Sequence, residues 1–130
     1  MAHIMLVDDE RDVVTLLKFI LEKEGHRITT ANNGAEALEK LGLEPARESD
    51  DLPDVIILDV MMPIMDGYTV SCRLAQNAKM RGIPLIVLTA KGEMRNLFQS
   101  IKSVATYVDK PFDPKRLREI IAGVLAEKKK

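Results

Sequence analysis

Short runs of consecutive apolar residues alternate along this chain with segments in which apolar residues recur every third or fourth position. The runs His3-Ile4-Met5-Leu6-Val7, Asp54-Val55-Ile56-Ile57-Leu58 and Ile83-Pro84-Leu85-Ile86-Val87-Leu88 are too short for buried helices and rich in β-branched residues. They predict strands covered on both faces, with Pro84 tolerable at a strand start. Further strands are predicted over 27–31 and 105–108. From Arg11 to Glu24, Val13, Val14, Leu16, Leu17, Ile20 and Leu21 fall at helical spacing, and Gly25 stops the helix. Asn32-Asn33-Gly34 makes a turn into a short helix at 35–41. Asp66 is placed to cap a helix running to about Arg81-Gly82, and a weaker helix is predicted over 93–103. Asp113 and Pro114 suit the cap and first position of a closing helix that reaches about Ala126. Between Gly42 and Pro53 the chain is polar, acidic and bounded by proline, which predicts a long surface loop.

Five strands alternating with five helices call for an α/β fold: a parallel sheet, helices on both faces, right-handed crossovers. Five strands suit the flavodoxin-like doubly wound order 2-1-3-4-5, a (βα)5 unit, better than the six-strand Rossmann order. At 130 residues the whole chain, 1–130, reads as one domain able to bury about two thirds of its unfolded surface. Every strand then ends on one edge of the sheet, the edge where open α/β sheets bind ligands. The polar residues at those ends are Asp8 and Asp9, Asp59, Thr89 and Lys110, drawn from four strands.

Taken singly, each has a bland reading: an Asp pair starts helices, a lone Asp caps them, and a Lys before Pro is a surface residue. Together they describe a charged crevice. Two carboxylates about 4 Å apart repel by about 4 kcal/mol at an effective dielectric near 20, so three of them call for a cation. Oxygen ligands alone select a hard ion such as Mg²⁺. A divalent cation, a lysine and a hydroxyl are also what stabilise a phosphoryl group in transfer, and an Asp carboxylate is a nucleophile for such groups.

Composition narrows the classes. The formal net charge of −1 excludes a general pull toward nucleic acid, and the basic run Lys128-Lys129-Lys130 is expected to be a helix end rather than a binding patch. The single cysteine, Cys72, excludes an internal disulfide and fits a reducing cytoplasm. No apolar run reaches membrane-spanning length, and acidic residues stand among the first twenty where a signal peptide would need a hydrophobic centre. A cytoplasmic protein without direct nucleic-acid or membrane contacts is expected.

Four stretches carry a family resemblance: Leu6-Val7-Asp8-Asp9-Glu10, Leu58-Asp59-Val60-Met61-Met62-Pro63-Ile64-Met65-Asp66-Gly67, Leu88-Thr89-Ala90 and Tyr107-Val108-Asp109-Lys110-Pro111-Phe112. They resemble the receiver domain of bacterial two-component response regulators over essentially the whole chain. The resemblance implies that Asp59 is the phosphoacceptor, charged by a histidine kinase or phosphotransfer protein. It implies Mg²⁺ held by Asp9 directly, Asp8 through water, Asp59, and the backbone carbonyl of Met61. It gives Thr89 a hydrogen bond to the phosphoryl oxygen, Lys110 an ion pair with it, and Tyr107 the aromatic switch position; the Lys110–Pro111 bond is expected to be cis. Such a protein is a switch rather than an enzyme, taking a phosphoryl group from a kinase or small donor and losing it by itself.

Two departures fall near the expected fourth helix. Val104-Ala105 stands where the family usually has Gly-Ala, and the segment from Thr89 to Lys110 is about one residue short. On that helix Met94, Leu97, Ile101 and Val104 share a face expected in the core, which leaves Phe98 as a candidate exposed contact, the alternative being that it packs on a neighbouring helix. Output is expected through a downstream protein bound to the face formed by the fourth helix, the last strand and the last helix. A chain that begins with Met and closes after a helix is expected to be a stand-alone receiver, the alternative being the receiver of a longer DNA-binding or enzymatic regulator. An Asp-nucleophile phosphatase would want a second carboxylate at position 61, where Met61 stands, and a flavin carrier would want a phosphate loop in place of Asp8-Asp9-Glu10.

Overall fold

A computed structural model of the protein describes residues 2–44, 51–90 and 98–128. Among these the elements run β1 (His3–Val7), α1 (Arg11–Lys23), β2 (Arg27–Ala31), α2 (Gly34–Lys40), β3 (Val55–Asp59), α3 (Gly67–Ala75), β4 (Leu85–Ala90), β5 (Val104–Lys110) and α4 (Pro114–Lys128). The sheet is parallel throughout, in the order β2-β1-β3-β4-β5. This is the flavodoxin-like doubly wound arrangement that the alternation of elements predicts.

The apolar runs are continuous because both faces of the sheet are covered. Met5, Val7, Ile56, Leu58, Leu85 and Val87 pack with Ala37, Leu38, Val70 and Leu74 of α2 and α3. The alternate residues Ile4, Leu6, Val55, Ile57, Ile86 and Leu88 pack with Leu17 and Leu21 of α1 and Leu117 and Ile121 of α4. The period of two along each strand thus feeds two separate cores. No described helix is long and apolar enough to cross a membrane.

Three expectations need correction. Helix α3 ends at Ala75 rather than near Arg81, because Asn77 offers the backbone a different partner. Its Oδ1 accepts from the N–H groups of Lys79 and Met80, at 2.9 and 3.2 Å, a local turn that competes with helical bonding. The predicted strand at 54–58 runs instead from Val55 through Asp59, so that the carboxylate belongs to the strand itself. Asp54 lies outside it, where its carboxylate accepts the His3 N–H at 2.8 Å.

The third correction concerns the predicted helix at 93–103. Its first part, with Met94 and Leu97, lies outside the described residues. From Phe98 the chain is not α-helical but turns, with Ile101 N–H to Phe98 O at 2.9 Å and Val104 N–H to Ile101 O at 3.2 Å. Ile101 is buried, while Val104 opens β5, which is longer than the expected 105–108. Phe98 is not an exposed contact: it is 1% exposed. Its ring sits edge-on between Tyr68, 5.5 Å away at 89°, and Tyr107, 6.2 Å away at 73°. A helical wheel continued through 103 puts Phe98 outside; a chain that turns at Phe98 aims it inward. Phe98→Ala is therefore expected to lower the unfolding free energy by about 3 kcal/mol, read in a urea titration.

Candidate functional site

The site lies at the C-terminal ends of β1, β3, β4 and β5. Asp8 follows β1 directly and stays aligned with the sheet through its N–H, which donates to Ala31 O at 3.1 Å. One oxygen, Oδ1, accepts the Glu10 N–H at 2.9 Å, which leaves Oδ2 for Lys110. Asp59 ends β3, and the ladder continues one step past it, Val60 N–H donating to Leu88 O at 3.2 Å. The chain then loops out through Met61 to Met65 and returns where Gly67 N–H donates to Val60 O at 2.8 Å. Asp66 caps α3, accepting the Thr69 N–H at 2.8 Å.

Within that loop Met65 N–H reaches back to Pro63 O at 2.7 Å, and Ile64 between them has φ of 70°. This is a γ-turn of the rarer, strained kind. A β-branched residue in left-handed backbone, 81% exposed and beside the crevice, marks the loop as locally strained.

Lys110, the last residue of β5 before the cis bond to Pro111, extends its ammonium into the acidic group. Its Nζ lies 3.0 Å from Asp8 Oδ2, 2.8 Å from Glu10 Oε1 and 3.4 Å from Asp59 Oδ1. Carboxylate oxygens of Asp8, Glu10 and Asp59 come within 4.8 Å of one another. Asp8 and Asp59 are buried, whereas Glu10 is exposed.

This crowding leaves its mark on protonation. Burial, reinforced by the charge of Asp8 and less by that of Asp9, raises the Asp59 carboxyl to about 7 against the opposing pull of Lys110. For Lys110 burial is the largest single influence and works against its charge. Hydrogen bonds to Glu10 and Asp8, with the charges of Asp8 and Asp59, outweigh it and hold the ammonium above its ordinary range. A buried carboxyl whose ionisation is opposed by another carboxylate is a place where an added cation gains energy. The donors are all oxygens, so the set fits a hard divalent ion such as Mg²⁺.

The structure thus brings Asp8, Asp59 and Lys110 together. Asp9 is exposed and its carboxylate lies outside the three-residue group, although its charge is felt at Asp59. Met61 lies two residues past Asp59 with its side chain exposed. Thr89 is buried on β4, and its hydroxyl donates to Asp109 Oδ1 at 2.9 Å rather than toward Asp59. Tyr107 is partly buried against Phe98. Sequence reasoning missed Glu10. It stands at the N-cap position of α1, yet its side chain makes no cap and reaches Lys110 instead. Its one signal was a third carboxylate directly after the Asp pair.

Comparison with known proteins bears on this geometry. A family model described as the response regulator receiver domain matches residues 4–122. The chain is 38% identical over 123 residues to the alkaline phosphatase synthesis transcriptional regulatory protein PhoP of Bacillus subtilis, covering 94% of this chain and 48% of that one. It is 35% identical over 131 residues to the response regulator SaeR of Staphylococcus aureus, covering 100% and 53%. It therefore spans about half the length of the curated relatives it matches. Among solved structures, a putative response regulator from Chloroflexus aurantiacus aligns with a TM-score of 0.81 at 30% identity, over 96% of this chain and 98% of that one. The chemotaxis response regulator CheY4 of Vibrio cholerae aligns with a TM-score of 0.83 at 27% identity, over 95% and 98%.

Proposed function

This chain belongs to the response regulator receiver domain family, signalling switches of two-component systems, and on that premise we propose that Asp59 is its phosphoacceptor. The observation that carries the reading is the placement of Asp59: a buried carboxylate ending β3, 3.4 Å from the Lys110 ammonium and beside the Asp8 carboxylate. A phosphohistidine on a histidine kinase or phosphotransfer protein, or a small acyl phosphate, is the donor. An Asp59 carboxylate oxygen forms the new bond to phosphorus as the donor's P–N or P–O bond breaks, the electron pair leaving with the donor. Lys110 turns from the carboxylates to the phosphoryl oxygens it can neutralise, Thr89 supplies a hydroxyl donor, and Tyr107 follows Thr89 inward.

Asp8, Asp9 and Asp59, with the Met61 carbonyl, would hold Mg²⁺, and Glu10 belongs to the same acidic group. When bound, the ion supplies positive charge against the transferring phosphoryl oxygens. Mg²⁺ at ten to thirty times its dissociation constant is expected to stabilise the fold by about 1.5–2 kcal/mol. A thermal melt with and without the ion reads this, and Asp8→Asn should shift the titration at least tenfold higher. A melt unmoved by Mg²⁺ would count against the cation site.

The function itself is tested with radiolabelled acetyl phosphate and Mg²⁺. The expected result is stoichiometric, hydroxylamine-sensitive label that disappears when the metal is chelated. Signalling then passes to a downstream protein through the face that includes β5 and α4. A second reading rests on length: relatives about twice as long, one named a transcriptional regulatory protein, favour this chain as the receiver of a longer, DNA-binding regulator. The size of the native protein in cell extracts separates the two.

A further inference from the structure

The Thr89 hydroxyl is already engaged. It donates to Asp109 Oδ1 at 2.9 Å, between residues that are register partners on β4 and β5. Thr89 is 2% exposed, whereas Asp109 is exposed. We propose that Asp109 is a positioning residue, a latch that holds Thr89 in the resting arrangement and sets how readily the site switches. This rests on the phosphoacceptor reading of Asp59.

A threonine hydroxyl carries one proton, so it cannot donate to Asp109 and to a phosphoryl oxygen on Asp59 at once. Both acceptors are anionic, and charge-assisted bonds of this kind are the stronger ones. Thr89 is therefore a two-position element whose occupancy is decided by two competing acceptors. The exchange is asymmetric in solvation. When Thr89 leaves, exposed Asp109 is rehydrated, so the latch adds a moderate threshold rather than a block. Asp109 also lies two residues from Tyr107 on β5, on the same face of the strand. The neighbouring residue, Lys110, serves the opposite side of the exchange, already paired with Asp59.

The test uses beryllofluoride with Mg²⁺, a mimic of the acyl phosphate, with affinity read by intrinsic tyrosine fluorescence. The chain has two tyrosines and no tryptophan, and both tyrosine rings pack against Phe98. Asp109→Ala is expected to bind beryllofluoride roughly 3- to 20-fold more tightly, the range expected for losing one such hydrogen bond. Asp109→Asn keeps a carbonyl acceptor in place and is expected to restore most of the wild-type affinity. In a Thr89→Ala background the gain from Asp109→Ala should vanish. An unchanged or weakened Asp109→Ala affinity overturns the latch. A gain that persists without the Thr89 hydroxyl also overturns it, since that result marks simple charge repulsion. Failure of the wild-type chain to take up beryllofluoride overturns the phosphoacceptor reading and the latch with it, whereas uptake without the Asp109→Ala gain overturns the latch alone.

Discussion

Asp59→Asn is expected to abolish phosphoryl incorporation while making the metal-free protein more stable at pH 8, by about 2–4 kcal/mol. The two effects have one cause. In the folded chain burial and Asp8 raise the Asp59 carboxyl from 3.8 to about 7, so folding favours its protonated form. That preference contributes fully below the unfolded value and is lost as pH rises through about 7. Above it the fold must bury an ionised carboxylate. Roughly three pH units, at 1.36 kcal/mol each, set the ceiling of about 4 kcal/mol. Asparagine has nearly the shape of the protonated acid and no charge to bury, so it removes this cost together with the nucleophile. Urea titrations in chelator at pH 8 and pH 4 measure it: the variant should exceed wild type at pH 8 and match it at pH 4. Saturating Mg²⁺ should narrow the gap at pH 8, because it stabilises the wild-type carboxylate. A variant less stable than wild type at pH 8 would mean that Asp59 is a satisfied structural group, and label remaining on the variant would move the nucleophile elsewhere.

Asp59 also illustrates what the sequence makes legible. Strands buried on both faces announce themselves as unbroken apolar runs, and Ile56-Ile57-Leu58 needs no partner to be recognised. Once five such strands alternate with helices, the handedness of crossovers brings their C-terminal ends to one edge. Asp8, Asp59 and Lys110 then meet although 102 positions separate the outer two. What escaped the sequence depends on direction rather than on placement. A helical period leaves Phe98 open to either a surface or a packed position, and only the turn that the chain makes there decides for the packed one. The end of α3 turned on Asn77 choosing a local turn, a contest between near-equal backbone options that composition does not decide. Glu10 reaching Lys110, and Thr89 turning to Asp109, are choices of side-chain direction between residues that only the fold brings together. No local period encodes them.

Gly67→Ala is expected to cost more than about 4 kcal/mol, a large share of the stability of an ordinary domain. Gly67 is the first residue of α3, and its backbone is not left-handed, so a methyl group would not strain it conformationally. The obstacle is space. A Cβ there would lie 2.3 Å from the carbonyl oxygen of Asp59, 3.0 Å from its carbonyl carbon and 3.0 Å from the Cα of Val60. All three atoms are backbone, so no side chain can rotate out of the way. The helix start cannot simply retreat, because Gly67 N–H is bonded to Val60 O at 2.8 Å and Asp66 caps the same turn. Relief must move α3 or the end of β3, and the end of β3 is Asp59. Any folded Gly67→Ala protein should therefore lose both its response to Mg²⁺ and its label from acetyl phosphate. Gly123→Ala supplies the control. Gly123 lies within α4, and a Cβ there meets nothing within 4 Å, so the same substitution should raise stability by about 0.5–1 kcal/mol through helix propensity alone. Opposite signs from one chemical change would separate close approach from backbone entropy. A Gly67→Ala protein as stable as wild type, and still labelled, would show that α3 can lift from β3 without disturbing Asp59.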